Sequence, residues 1–158
     1  MIELTSLEQT VRLARAFASC LPGRHSWPAL LMRGQLGAGK TTFVRELVQA
    51  LPGSEGAEVS SPSFNLLNLY PTVPPVGHFD LYRTSGLEFG PDLEEILFSP
   101  EHFCLMEWAE FLPDHLRPDS CIDLGWTVDG DRRSIVFTAH GHDADDLLRC
   151  ALTLFHQP

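Results

Sequence analysis

The sequence predicts an α/β fold, a three-layer sandwich in which helices cover a mixed β-sheet, and three observations support this prediction. Apolar residues recur at helical spacing near both ends of the chain, and short apolar runs typical of buried strands lie between them. One of these runs leads through a glycine-rich loop into an amphipathic helix. The 158 residues, of which 44% are hydrophobic and 20% charged, suffice for one cored domain, so we expect residues 1–158 to form a single domain.

The N-terminal third predicts two helices around one strand. Thr5 and Ser6 each have an acidic or amide side chain three positions later, which indicates a capping box, and Pro22 ends the helix that follows. Its inward-facing residues are predicted to be Leu7, Val11, Ala14, Ala18 and Leu21. Residues 28–33 predict a buried strand. The second helix is predicted to follow the glycine-rich loop and to bury Phe43, Val44, Leu47, Val48 and Leu51.

The remaining two thirds predict a strand-rich region closed by a helix. Five runs are typical of strands: residues 64–70, 76–81, 103–106, 121–126 and 134–139. The first two are predicted to pair antiparallel, and the last two to form a hairpin through Asp129 and Gly130. Residues 54–63 predict a loop, residues 87–98 a short acidic helix, and residues 143–155 a terminal helix. The inward residues of the terminal helix are predicted to be Leu147, Leu148, Ala151, Leu152 and Phe155.

The glycine-rich loop carries the chemistry. Residues 34–41 read Gly-Gln-Leu-Gly-Ala-Gly-Lys-Thr and match G-x-x-x-x-G-K-[ST] at every specified position. The glycines let the backbone point successive N–H groups inward, and the following helix adds unpaired N–H groups. Lys40, the only lysine in the chain, is predicted to reach the β- and γ-phosphates of a nucleotide, and the Thr41 hydroxyl suits Mg²⁺. The prediction is therefore a P-loop NTPase-like three-layer sandwich around a mixed β-sheet.

Two apolar runs end in a carboxylate that is a candidate second anchor for the metal. Residues 103–106 are followed by Glu107, and residues 76–79 by Asp80. Strand ends beside a phosphate loop are where such groups converge. We therefore expect both carboxylates at the nucleotide site.

With the loop and both carboxylates in view, the sequence resembles the bacterial TsaE (YjeE) family, the ATPase component of tRNA threonylcarbamoyladenosine biosynthesis. The resemblance runs from Thr5 to Ala139 and is carried by four segments: residues 34–43 (GQLGAGKTTF), 61–64 (SPSF), 78–83 (HFDLYR) and 105–108 (LMEW). The chain departs from the family at Ser63, where threonine is more frequent, and residues 86–102 match only loosely.

The resemblance implies an ATPase that uses ATP and Mg²⁺, with Thr41 and Glu107 as metal ligands. Asp80 and Lys40 are the implied catalytic residues. The implied nucleotide-binding residues are Gly37, Ala38, Gly39, Lys40, Thr41, Thr42, Trp108 and Arg132. Arg133 is the rival of Arg132 for an arginine near the late hairpin that helps to hold ATP. Thr10 matches a threonine near the base in this family, but we favour the simpler interpretation of an exposed helical threonine.

The resemblance also implies partners. They are the threonylcarbamoyl-transferase subunits TsaB and TsaD, which modify an adenosine next to the tRNA anticodon. The net charge is −10, and residues 54–158 alone carry −13. Because affinity for phosphate backbones comes largely from lysine and arginine, we expect this chain to meet tRNA indirectly, through those subunits.

Composition predicts a cytoplasmic protein with no membrane contact. No apolar run approaches the ~20 residues of a membrane span. The N-terminus lacks a basic-then-apolar leader, so no secretory signal is predicted. The four scattered cysteines, Cys20, Cys104, Cys121 and Cys150, show no Cys-x-x-Cys spacing and are predicted to be free thiols.

Rival functions fit less well. A guanine-specific Asn-Lys-x-Asp motif is impossible because Lys40 is the only lysine, and no Asp-x-x-Gly motif occurs. A P-loop small-molecule kinase is the stronger alternative, since the same loop and carboxylates would serve it. Against it, Arg83 is the only arginine between the second helix and Arg117, so no arginine-rich lid is evident. A nucleotide-gated interaction module, which hydrolysis merely resets, is the non-enzyme alternative. We interpret His140 to Asp146 as a loop and first helical turn rather than a metal site, and His78 as structural rather than acid–base.

Overall fold

The computed structural model describes residues 1–62, 65–82, 89–130 and 132–157, whose strands form one seven-stranded mixed sheet. The strands are β1 (Ile2–Leu4), β2 (Ala29–Arg33), β3 (Leu67–Tyr70), β4 (Val76–Asp80), β5 (Phe103–Glu107), β6 (Cys121–Asp129) and β7 (Arg132–His140). Their order across the sheet is β1-β7-β6-β2-β5-β4-β3. The central strands β6, β2, β5 and β4 run parallel, while β1, β7 and β3 pair antiparallel with their neighbours.

Helices cover both faces of this sheet. They are α1 (Leu7–Ser19), α2 (Lys40–Gln49), α3 (Pro91–Phe98) and α4 (His142–His156). Helices α1, α2 and α4 share one core with alternate residues of the strands, such as Leu30 and Leu105. Residues of opposite parity, such as Leu31 and Met106, pack in a second core with α3. The predicted three-layer arrangement is confirmed.

Helix α1 begins where the capping box predicts, but its buried face is rotated from the predicted one. Ser6 is the N-cap, and its hydroxyl accepts a hydrogen bond from the Gln9 N–H. Leu7 is 65% exposed, so its predicted inward position is wrong. The buried residues of α1 are Thr10, Leu13, Ala14, Ala16, Phe17 and Ala18. The face follows from the joint packing of α1 on α2 and α4, which a single-helix pattern does not report.

The other predicted elements are present, with shifted ends. All five predicted inward residues of the second helix are buried. Asp129 is the last residue of β6, where it pairs with Arg132, and Gly130 follows it in the β6–β7 turn. Strands β6 and β7 extend further than predicted, and the three-residue strand β1 was not predicted. In α4, Leu147, Ala151 and Phe155 are buried, whereas Leu148 and Leu152 are half-buried. Ser63, Phe64, Arg83 and residues 84–88 lie outside the described residues.

The prediction of four free thiols is wrong for two of them. Cys20 at the end of α1 and Cys150 on α4 form a disulfide, with Cα atoms 6.1 Å apart. The two helices pack side by side, which brings cysteines 130 residues apart in sequence within bridging distance. Cys104 and Cys121 are free and buried, and burial raises the pKa of Cys104 to about 12. Among the described residues, no helix is long and apolar enough to cross a membrane.

Candidate functional site

The glycine-rich loop lies between the end of β2 and the start of α2, at the carboxyl edge of the parallel strands. Gly34 has φ of +132°, and a Cβ on it would lie 2.4 Å from the carbonyl oxygen of Trp126 on β6, so only glycine fits. Gly39 has φ of +108° and caps α2 without a side-chain hydrogen bond. The N–H groups of the first turn of α2 are therefore left without a side-chain cap, which is the arrangement of an anion site.

Lys40 is folded back over the loop. Its Nζ donates to the carbonyl oxygens of Gly34 and Gln35, the latter at 3.1 Å, and lies 3.8 Å from the centroid of the Trp108 ring. The side chain is buried, and this desolvation lowers the pKa of Lys40, against the opposing attraction of nearby carboxylates, Glu107 first among them. The ammonium group is thus held at the loop by carbonyl dipoles that a bound phosphate group would replace.

The two predicted carboxylates lie next to each other on the face of the sheet that carries α2. Strands β4 and β5 are parallel neighbours, and Asp80 is in register with Glu107. Both side chains are buried, and Glu107 is 2% exposed. Glu107 Oε2 accepts a hydrogen bond from the Thr41 hydroxyl, at 2.7 Å. Thr41 and Glu107 are the two predicted metal ligands, and the structure brings their oxygen atoms together.

Each carboxylate has further partners that fix it in place. Glu107 Oε1 lies 2.9 Å from Nε2 of the buried His78. Asp80 Oδ1 accepts from the Tyr82 N–H at 2.9 Å, and Oδ2 accepts from the Ser61 hydroxyl. A buried carboxylate is expensive unless its oxygen atoms are hydrogen-bonded, and here all four oxygen atoms have a donor.

Aromatic side chains form the outer wall of the site. Trp108 follows β5 in a left-handed backbone conformation, with φ of +57°. Its ring contacts those of Tyr82 and Phe111, at centroid distances of 4.6 and 6.3 Å. The predicted position of Trp108 at the nucleotide site is consistent with this placement beside Lys40.

These groups line one cavity of about 440 Å³. Its walls contain all the predicted site residues except Arg132: Gly37, Ala38, Gly39, Lys40, Thr41, Thr42, Asp80, Glu107 and Trp108. They also contain three residues for which no role was predicted: Leu36, Ser61 and Tyr82. Ser61 and Tyr82 belong to segments that carry the family resemblance, which was the available signal.

A smaller adjoining cavity of about 140 Å³ is lined by one of the two arginines near the hairpin, Arg133, and not by the other, Arg132. Arg133 and Thr10 line it together with Gly37, Gly39 and Thr42, whereas Arg132 lines neither cavity. Arg133 shares its strand face with Ile135 and Phe137, which pack toward α1, and Arg132 points to the opposite face. This placement favours Arg133 over Arg132 as the arginine beside the nucleotide site.

The predicted exposure of Thr10 is also at odds with the structure. It is buried in the α1 interface beside the loop, so the interpretation as an exposed helical threonine is wrong.

Residues 140–146 span the end of β7 and the first turn of α4, and the predicted helical turn is confirmed. Asp143 and Asp145 lie in the first turn of α4, His140 pairs with Asp123, and His142 pairs with Asp146. Within the described ranges, no group of three or more His, Cys, Asp or Glu side chains is placed to hold a metal.

The residues present fit a magnesium nucleotide. A hydroxyl and a carboxylate oxygen 2.7 Å apart are the hard oxygen ligands that Mg²⁺ prefers, and Mg²⁺ commonly takes only one or two protein ligands beside phosphates. The concave loop, the N-terminus of α2 and Lys40 all line the same cavity as these two ligands.

Comparisons with known proteins agree on one family. The family model described as threonylcarbamoyl adenosine biosynthesis protein TsaE matches residues 4–135. The tRNA threonylcarbamoyladenosine biosynthesis protein TsaE of Rickettsia bellii is 37% identical over 134 residues, covering 82% of this chain and 88% of the relative. The protein of the same name from Bacillus subtilis is 33% identical over 132 residues, covering 83% and 78%.

A solved structure agrees with the fold. The crystal structure of YdiB from Bacillus subtilis superposes with a TM-score of 0.71 at 27% identity, and the match covers 96% of this chain and 93% of that one. The residues that line the larger cavity all lie within the part matched by the family model.

Proposed function

This chain belongs to the TsaE family of threonylcarbamoyl adenosine biosynthesis proteins, and we propose that it is the Mg²⁺-dependent ATPase of tRNA threonylcarbamoyladenosine formation. The observation that carries the proposal is the contact between Thr41 and Glu107 beside Lys40, which combines a hydroxyl, a carboxylate and an ammonium group at one phosphate loop. This is the set of groups with which P-loop NTPases hold the β- and γ-phosphates and their metal.

Binding rests on groups that are already in place. The uncapped N–H groups at the start of α2 donate to the phosphates, and Lys40 exchanges its carbonyl partners Gly34 and Gln35 for phosphate oxygens. Thr41 and Glu107 would hold Mg²⁺, which would neutralise negative charge on the phosphates. Trp108 closes the outer wall of the site.

Hydrolysis needs a group that orients the attacking water, and we assign this role to Asp80. Its carboxylate lines the cavity on the strand next to that of Glu107, and it is positioned by the Tyr82 N–H and the Ser61 hydroxyl. A carboxylate held in this way can accept a hydrogen bond from water without first reorganising.

The site is short of positive charge, and this supports dependence on partners. Of the described residues that line the larger cavity, Lys40 is the one basic side chain. A well-placed arginine finger is worth about 10³ to 10⁵ in the rate of comparable phosphoryl transfers. We propose that TsaB and TsaD complete the site, so that the isolated chain hydrolyses ATP slowly. The net charge of −10 supports contact with tRNA through those subunits.

The test follows the γ-phosphate of isotopically labelled ATP. We expect slow release of free phosphate by the purified chain, faster release with TsaB and TsaD, and weak tRNA binding by the chain alone at physiological salt. Fast turnover by the chain alone, or tight tRNA binding without partners, would contradict the proposed dependence. Transfer of the label to a metabolite would replace the ATPase with a small-molecule kinase.

A further inference from the structure

We propose that His78 is a positioning residue, which holds the Glu107 carboxylate in the one orientation that presents Oε2 to the metal site at Thr41. The inference rests on the proposed function and assigns a role to a side chain that the mechanism does not otherwise use. It replaces the two interpretations of His78 that the sequence suggested, a structural histidine and an acid–base catalyst.

The geometry divides the two oxygen atoms of Glu107 between two partners. Oε1 lies 2.9 Å from His78 Nε2, and Oε2 lies 2.7 Å from Thr41 Oγ1. Glu107 is 2% exposed and His78 is fully buried, so the contact between these two side chains is shielded from water. The imidazole therefore holds one carboxylate oxygen and so orients the other toward the phosphate loop.

The chemistry of the two groups identifies the donor in the hydrogen bond between His78 and Glu107. A carboxylate oxygen only accepts, so Nε2 carries the proton and donates. In the described part of the chain, Nδ1 is buried without a hydrogen-bond partner. An unprotonated Nδ1 leaves only an acceptor unpaired, whereas a protonated one would leave a buried N–H without an acceptor. The hydrogen bond to Glu107 is thus the polar function that the structure gives this ring.

The surroundings of His78 make it a rigid support. It lies on β4 directly beside β5, which carries Glu107, and its ring stacks on that of Tyr70 with an interplanar angle of 27°. Packing of this kind fixes the orientation of the imidazole, and its hydrogen bond then restrains the orientation of the Glu107 carboxylate. Partners that orient metal ligands typically change metal affinity by about 10- to 100-fold when they are removed.

If His78 only filled space in the core, any side chain of similar shape could replace it. The experiment therefore separates the shape of the side chain from its hydrogen bond to Glu107. His78→Gln keeps an amide N–H at about the reach of Nε2, and His78→Asn keeps the same amide one methylene short of Glu107. His78→Phe keeps the ring without the donor. Calorimetry with a non-hydrolysable ATP analogue, in EDTA and across a Mg²⁺ titration, measures metal-free and metal-dependent binding separately.

We expect His78→Asn and His78→Phe to raise the Mg²⁺ concentration for half-maximal enhancement of binding by about 10- to 100-fold. Metal-free affinity should not change, and His78→Gln should restore most of the Mg²⁺ response. The inference is overturned if the Asn and Gln variants respond alike, or if metal-free affinity falls equally. Failure of His78→Phe to fold leaves the Asn and Gln pair as the decisive comparison. If the wild-type chain shows no Mg²⁺ enhancement, the proposed function fails rather than this inference.

Discussion

Replacement of Thr41 by valine tests the metal site most directly, because valine has the same shape and lacks only the hydroxyl. The structure predicts two separate consequences. The first is a loss of stability in the free protein, since the Thr41 hydroxyl donates to a carboxylate that is almost fully buried, at 2.7 Å. The second is a loss of a metal ligand in the nucleotide complex.

The size of the first effect follows from the partners that remain. A hydrogen bond to a charged group contributes about 1.5–3 kcal/mol. Glu107 keeps its contact with His78, so we expect the lower end, about 1.5 kcal/mol. For a chain of this size, that corresponds to a fall of roughly 3–6 °C in the melting temperature.

The second effect is measured by calorimetry with ATP analogue in EDTA and in Mg²⁺. Thr41→Val should leave metal-free binding unchanged and raise the Mg²⁺ requirement by at least about tenfold, or 1.4 kcal/mol. Thr41→Ser is the matched control, because it keeps the oxygen atom and should resemble the wild type in both assays. Equal losses with and without Mg²⁺ would refute the assignment, and an unchanged melting temperature would refute the contact itself.

Three further substitutions test the remaining parts of the site and the fold. Lys40→Met should weaken nucleotide binding roughly 10- to 150-fold with or without metal. Because burial lowers the pKa of Lys40 and bound phosphate favours its charged form, the nucleotide affinity of the wild type should begin to fall at a pH below 10.5, the ordinary pKa of lysine. Calorimetry of the variant should not show this loss of affinity at alkaline pH. Asp80→Asn should lower turnover by about 10² or more while ATP affinity changes little, and loss of binding in a folded variant would instead exchange the roles of Asp80 and Glu107. Cys150→Ser should lower the free energy of unfolding in urea by about 3–5 kcal/mol, because the disulfide to Cys20 spans 130 residues. Reductant should lower the free energy of unfolding of the wild type by the same amount. If reductant has no effect on the wild type, the disulfide is not formed.

The parts of the molecule that sequence predicted well are governed by local rules. The phosphate loop is a run of eight residues whose glycines and lysine have separate steric and chemical reasons to be there. The hairpin was predicted from the Asp129-Gly130 pair and the strand patterns on either side, and β6 ends at Asp129. The carboxylates Asp80 and Glu107 were found because each directly follows a buried apolar run.

The parts that sequence did not predict depend on packing between distant segments. The disulfide joins Cys20 to Cys150 because α1 and α4 are neighbours, and nothing local to either cysteine reports that contact. Thr10 is buried because α1 also packs against α2 and the loop. Arg132 and Arg133 are adjacent in sequence but on opposite faces of β7. Because the sequence does not fix the strand register to within one residue, it cannot say which of the two arginines faces the loop.

The order of strands in the sheet explains why the two carboxylates have different partners, and sequence could not supply that order. Strand β5 lies between β2 and β4, so Glu107 is one strand away from the phosphate loop and Asp80 is two strands away. Neighbouring strands are about 4.8 Å apart, which lets Glu107 reach Thr41 directly and leaves Asp80 beyond its reach. Asp80 instead accepts hydrogen bonds from the Ser61 hydroxyl and the Tyr82 N–H, and all three residues line the cavity. This separation supports the proposed division of roles, in which Thr41 and Glu107 hold the metal and Asp80 orients the attacking water.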